Sequence, residues 1–249
     1  MRAFERGLRV IRAFGAGGSS LTLSAVAQAA DLNRATTRRL LLTLEEEGYV
    51  RRRQDQFSLT PRVLELGYAY LSSFGVSELA LPYMERLSEE LQESSSVGVL
   101  DDTDVVYVAR VPANRVMTVS IRLGSRFPAY RTALGRALIA ASTTDEVADL
   151  WHRTDRRDPT PRTVTRLELL LDELAETRRR GYALVDQELE LGVRSVAAPL
   201  HDQQGRTVAA INVSTHVSRT NKATLRRAFV PALLRTASDI DHALSNRPA

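Results

Sequence analysis

The sequence predicts an α+β protein with an N-terminal winged helix-turn-helix, a linker helix and a C-terminal antiparallel sheet domain. Three observations lead there. Residues 24–47 read as two helices joined by a three-residue turn. The stretch "YVRRRQDQFSLT" that follows reads as a β-hairpin. From Ser94 the apolar period switches from helical spacing to two. A chain of 249 residues holds one large or two medium domains. The expected divisions are 1–60, 61–76 and 77–249, with the boundary near Ser73–Ser77.

The first helix comes from Phe4, Leu8, Val10, Ile11 and Phe14, near helical spacing, and closes at the loop "GAGGSS". A short helix over Ser24–Ala30 has Ser24 as its N-cap. Asp31 and Leu32 make the turn, and Asn33 caps a helix over Arg34–Glu47 that stops at Gly48. At 100° per residue, Thr37, Leu40, Leu41 and Leu44 share the packing face of this last helix. Ala35, Thr36, Arg38, Arg39 and Thr43 fall opposite, and Leu42 joins them as a misfit.

Its charge runs against the macrodipole, which favours acids early and bases late. Here Arg34, Arg38 and Arg39 come first and Glu45, Glu46 and Glu47 last. DNA phosphates would supply the missing negative charge, and arginine's fork suits guanine O6 and N7. Residues 1–62 hold 11 Arg against 6 Asp and Glu, while the rest hold 23 Lys and Arg against 24. That asymmetry fits either a nucleic-acid module or a solvated charged face. The hairpin favours the first, since Arg51 and Arg53 alternate onto one side, suited to phosphate. Expected DNA-contacting residues are therefore Ser24, Asn33, Arg34, Ala35, Thr36, Arg38, Arg39, Thr43, Arg51 and Arg53.

Thr60-Pro61 starts the linker helix "RVLELGYAYLSSFG", whose wide apolar stripe faces either a second copy of itself or the first helix. A further helix, "SELALPYMERLSEEL", has Ser77 as cap and Pro82 as a kink or late start. In the C-terminal domain "SSSVGVL" and "DVVYVARV" form a hairpin, and "VMTVSI" is a third strand. "SRFPAYR" is a loop leading into a helix near Thr132. Helices are expected over about 143–152 and 166–180. "GYALVD", "VRSVAAPLHD" and "TVAAINVS" are strands, and a long helix over 221–245 ends the chain. Strands in the middle with helices at both ends imply an antiparallel sheet.

The chain resembles the IclR family of transcriptional regulators over nearly its whole length. The resemblance is carried by "FERGLRVIRAF", "LTLSAVAQAADLNRATTRRLLLTLEEEGYV", "YRTALGRALIA", "GYALVDQELELGVRSVAAPL" and "AAINVS". "SLTPRVLELGYAYLSS" and "SSSVGVLDDTDVVYVARV" carry a narrower likeness to the regulators of protocatechuate and β-ketoadipate breakdown. The resemblance implies a GAF/PAS-like effector domain and a homodimer or dimer of dimers on an inverted-repeat operator. It implies a small organic acid effector, such as β-ketoadipate or protocatechuate. The effector would sit at Tyr130, Arg131, Thr132, Ala133, Leu134, Asp186, Glu188, Ser195, Asn212 and Ser214. Beside it, the residues say that Thr132 opens a helix whose N–H groups favour a carboxylate. Asn212 and Ser214, two apart, share a strand face that lines a cavity or meets water. Arg131 departs from the small residue expected at its place, and either pairs with an acid or points to solvent. Arg110, Arg122 and Arg194 are weaker candidates, and Arg194 is equally suited to pair with Glu188 or Glu190.

Other chemistry finds little support. Cysteine is absent, which removes disulfides and thiol nucleophiles and fits a cytoplasmic location. His152, His201, His216 and His242 lack metal-ligand spacing. "GVRSV" is no nucleophile elbow, "GAGGSS" is no phosphate loop, and no apolar run is long enough for a membrane span. No cofactor is expected. Two other readings stand beside the regulator of aromatic-acid breakdown. One is a regulator of the same type for another carbon source; the other is a small-molecule enzyme with an accessory DNA-binding domain.

Overall fold

The computed structural model describes residues 2–68, 75–113, 121–157 and 160–246. The chain divides into two compact units, residues 1–74 and 75–249.

In the first unit, α1 (Arg2–Gly17), α2 (Leu23–Ala29) and α3 (Arg34–Glu46) surround a core of Val10, Phe14, Val26, Leu41 and Phe57. β2 (Val50–Arg53) and β3 (Gln56–Leu59) form the expected hairpin. A two-residue strand, β1 (Leu21–Thr22), joins β3 on its other edge. This strand corrects the cap of α2. Thr22, not Ser24, accepts the Ala25 N–H, because the chain leaves the sheet straight into the helix. Asn33 caps α3 as expected, accepting from Thr36 N at 2.8 Å. Gly48 ends it with φ +77°, a conformation that costs other residues steric strain. Beyond the wing, Thr60 caps a 3₁₀ turn over Pro61–Val63, and residues 64–68 are α-helical. The rest of the expected linker helix, residues 69–74, lies outside the described residues.

The second unit is built on a six-stranded antiparallel sheet in the order β6-β5-β4-β9-β8-β7. Its strands are β4 (Ser94–Asp101), β5 (Asp104–Val111), β6 (Arg126–Pro128), β7 (Ala183–Asp186), β8 (Val193–His201) and β9 (Thr207–His216). Of the strand expected at "VMTVSI", residues 116–120 lie outside the described residues, and Ile121 is not in a strand. β6 arises instead inside the stretch read as a loop, as a three-residue edge strand closed by Pro128.

α4 (Val76–Leu91) and the last helix, α8 (Val230–Ser245), pack together against the sheet. α4 begins at Gly75 in the left-handed region without a side-chain cap, so Ser77 lies inside it, and the helix runs on through Pro82. The expected continuous helix over 221–245 is divided. A single α-turn, Lys222–Thr224, passes into a π-helical segment, Leu225–Phe229, before α8. Pro231 cannot donate to the carbonyl four residues back, and an insertion of this kind relieves the conflict.

α5 (Ala133–Ile139) lies across the opposite face of the sheet. The sheet is lined there by Ala183, Ala197, Ala210 and Gly98. A Cβ on Gly98 would stand 2.7 Å from Val105 and 3.1 Å from Leu134, so only glycine lets the helix settle. Gly135 has still less room, with a Cβ 2.1 Å from the Ala129 carbonyl oxygen. α6 (Thr144–Arg153) and α7 (Leu167–Arg180) bury Tyr130, Ile139, Trp151, Leu170 and Leu174 beside it.

Candidate nucleic-acid interface and effector cavity

On the first unit, Ser24, Asn33, Arg34, Ala35, Arg38, Arg39, Thr43, Arg51 and Arg53 are all exposed, and Thr36 is half-buried. Thr37 and Leu41 are fully buried on the opposite side of α3. The helix therefore turns its arginines outward because its leucines are needed inward. Among the described residues, no carboxylate pairs with Arg34, Arg38 or Arg39, although Arg9, Arg52 and Arg62 each have an acidic neighbour.

Three of the expected contact residues already have structural work. The Asn33 side chain is the cap, and the Thr43 hydroxyl donates to the Arg39 carbonyl at 3.2 Å. Arg51 donates to Ser58 across the hairpin. Arg52 was not singled out by the sequence. It shares a strand face with Val50 and lies over the Phe57 ring at 5.7 Å. It lines a groove with Ser24, Arg34, Arg38 and Leu42. The misfit Leu42, 41% exposed, is thus a wall of this basic groove.

On the second unit, a cavity opens where the polar end of the sheet face passes beyond α5. Arg131, Thr132, Ala133, Ser195, Asn212 and Ser214 line it, together with Tyr107, Arg110, Val185, Leu189, Val193 and Ile121. Asn212, Ser195 and Ser214 form one buried cluster. The Asn212 amide donates to Ser195 at 3.0 Å and to Ser214 at 3.1 Å. Ser214 donates to Ser195 at 3.1 Å, and Ser195 donates to the Val213 carbonyl at 3.2 Å. Asn212 Oδ1 receives no hydrogen bond although the residue is 3% exposed.

Across the sheet, Ser96 pairs in register with Asn212 on one side and Arg110 on the other. The Arg110 guanidinium reaches back to Ser96 at 3.4 Å and Ser94 at 3.5 Å. Burial lowers its pKa below the usual arginine value and pushes the Tyr107 hydroxyl up to about 12. Tyr107 also meets Phe127 edge to face, with ring centroids 5.7 Å apart.

Four expected effector residues do not line this cavity. Tyr130 packs edge to face on Trp151 in the neighbouring core, at 5.2 Å between ring centroids. Leu134 points into the core between α5 and the sheet. Asp186 is held by Arg194, whose Nε lies 2.8 Å from Oδ1, and by Lys222 at 3.0 Å. Arg194 accordingly pairs with neither Glu188 nor Glu190. Glu188 is closed in a bidentate pair with Arg136, at 2.8 and 2.6 Å. Thr132 uses its side chain to cap α5, accepting from Gly135 N at 2.9 Å, and the helix has only seven residues. That cap occupies one of the N–H donors the expected carboxylate would meet, the one on Gly135. Arg131 does line the cavity and also donates to the Arg157 carbonyl at 3.4 Å. Of the weaker candidates, Arg110 lines the cavity; Arg194 does not, and Arg122 engages Ser125 through its backbone N–H.

Both halves of the chain match one family of models. Residues 3–54 match the IclR helix-turn-helix domain, and residues 68–242 match the bacterial transcriptional regulator IclR C-terminal domain. The chain belongs to the IclR family. It is a DNA-binding, ligand-responsive transcriptional regulator of that type, as its curated relatives are transcriptional regulators and not enzymes. An IclR-family relative, the Pca regulon regulatory protein of Pseudomonas putida, is 39% identical over 98% of this chain and 84% of its own length. The p-hydroxybenzoate hydroxylase transcriptional activator of Acinetobacter baylyi is 31% identical over 94% of this chain and 89% of its own. A crystal structure of a transcriptional regulator from Rhodococcus sp. RHA1 superposes with a TM-score of 0.88 at 48% identity, covering 98% of both chains. Among the described residues of this IclR protein, no helix is long and apolar enough to cross a membrane. Among those same residues, no group of three or more His, Asp and Glu could hold a metal.

Proposed function

We propose that this regulator controls genes of aromatic-acid breakdown and responds to a small organic acid such as protocatechuate or β-ketoadipate. The observation that carries this is Arg110. It is a half-buried cation in the cavity wall whose hydrogen-bond partners are two serine hydroxyls at long range. A ligand carboxylate would complete it with a charge-assisted bond. Two relatives, by their names, govern the Pca regulon and p-hydroxybenzoate hydroxylase, and they give the pathway its direction.

In this reading α3 enters the major groove of an inverted-repeat operator, and Arg34, Arg38 and Arg39 meet bases and phosphates. The protein works as a homodimer or dimer of dimers. Apolar side chains left exposed on α1 and on residues 64–68 support that. They are Phe4 at 75%, Leu64 at 71% and Tyr68 at 62% exposure. The acid acts only through different affinities for the DNA-competent and DNA-incompetent arrangements.

The test combines thermal stability with operator affinity. An effector at 100 times its Kd adds about 2.7 kcal/mol to the folded state and changes the affinity for DNA from the protein's own genomic neighbourhood. A panel of aromatic-breakdown acids that changes neither quantity contradicts the proposal.

A further inference from the structure

We infer that the effector is a hydroxylated aromatic acid whose O–H is received by Asn212, and not an aliphatic dicarboxylate. This rests on the cavity being the effector site.

The reasoning is a hydrogen-bond inventory of one wall. The Ser195 proton goes to the Val213 carbonyl and the Ser214 proton goes to Ser195. Both Asn212 amide protons are taken by the two serines. Ser195 Oγ accepts twice, which fills its lone pairs. What the cluster still offers is lone pairs alone: both on Asn212 Oδ1 and one on Ser214 Oγ. An acceptor-only wall repels a carboxylate or a ketone oxygen and is satisfied by a hydroxyl donor. A buried acceptor left unpaired destabilises the fold, and a ligand O–H removes that cost.

The opposite side of the cavity has the complementary chemistry. Arg110 stands two strands from Asn212 across Ser96, about 10 Å between backbones at ordinary strand spacing. Tyr107, beside Arg110 on β5, and Leu189, Val193 and Val185, on the β8–β7 side of Asn212, give the cavity apolar walls that suit a ring. A carboxylate at the arginine and a hydroxyl at the asparagine, held apart by a rigid ring, match all three surfaces. A flexible chain with a carboxylate at each end finds cations in Arg110 and Arg131 but leaves Asn212 Oδ1 unpaired and the apolar walls unfilled.

The experiment is calorimetric titration of the full chain with 3,4-dihydroxybenzoate, 3- and 4-hydroxybenzoate, benzoate, adipate and 3-oxoadipate. The expected result is that at least one hydroxybenzoate binds tenfold to a hundredfold tighter than benzoate, and both dicarboxylates bind more weakly than that hydroxybenzoate. In Asn212→Ala the preference for the hydroxylated ring over benzoate falls to near one. Tighter binding of either dicarboxylate than of any hydroxybenzoate overturns the inference while leaving the cavity as the effector site. So does a hydroxyl preference that survives in Asn212→Ala. Absence of binding by every acid in the series overturns the effector reading itself, and this inference with it. The ligand series on the unmodified chain decides the class even if the variant does not fold.

Discussion

Arg136 and Glu188, 52 residues apart, form a two-bond ion pair with side chains 1% and 9% exposed. Arg136 also donates to the Tyr130 carbonyl at 2.7 Å, and Glu188 accepts from Val164 N at 3.0 Å. One pair thus ties α5 and the segment before it to the 187–192 loop, which brings Leu189 to the candidate effector cavity. Removing one partner strands a buried charge. Glu188→Ala is expected to cost about 3–5 kcal/mol in denaturant unfolding. A double replacement by apolar residues of similar volume should cost less than either single change. A double variant that costs the sum of the two single changes would show that the pair is not coupled.

Gly135 marks the closest approach in the effector unit. Gly135→Ala places a methyl group 2.1 Å from the Ala129 oxygen, and α5 must shift to relieve it. The expected loss is at the upper end of the ~1–3 kcal/mol seen for overpacked sites. Weaker effector binding should accompany it, since Thr132 and Ala133 line the cavity. Calorimetry on the variant checks both, and undisturbed effector affinity would separate α5 from the site.

The winged helix was legible because its signals are local: a cap at Asn33, a leucine stripe, and a stop at Gly48. The candidate effector site was legible only in part. Asn212 and Ser214 follow from strand alternation. Tyr107 and Arg110 do not, since three positions apart they should face opposite ways. The bulge between Val97 and Gly98 leaves Val108 without a partner and turns both into the cavity. Ile121 and Leu189 come from loops, where no period exists to read. Asp186 and Glu188 look like ligand-binding acids in sequence. Their partners, Arg194, Lys222 and Arg136, become visible only when distant segments meet.

The wing and the recognition helix should separate by specificity. Arg38→Ala or Arg39→Ala is expected to weaken operator binding by about 1–3 kcal/mol, and binding to random duplex by less. Arg51→Ala or Arg53→Ala should weaken both equally and lower the salt slope by about one. Fluorescence anisotropy on the two DNAs measures this. Equal losses for Arg38→Ala on both would contradict the helix assignment.

Asp186 provides an acid-sensitive contact. Burial alone would raise its carboxyl, but Arg194 and Lys222 outweigh that and hold the pKa at about 2. A carboxylate with a depressed folded-state pKa stabilises above its unfolded value. That stability is lost as pH falls from about 4 through 2. With Lys222 54% exposed, solvent screening reduces the contribution to about 1 kcal/mol. Asp186→Asn should remove that part of the pH dependence of unfolding between pH 4 and 2. An unchanged profile would contradict the assignment.

The central claim is that the exposed, unpaired arginines of α3 meet a polyanion and that the cavity governs this meeting. Operator affinity of the full chain, measured across salt concentration with and without a binding acid, tests it most directly. The account requires log affinity to fall linearly with log salt, with a slope of about −0.9 per phosphate neutralised. It also requires the acid to change affinity at every salt concentration. A salt-independent affinity, or one the bound acid leaves untouched, would contradict it.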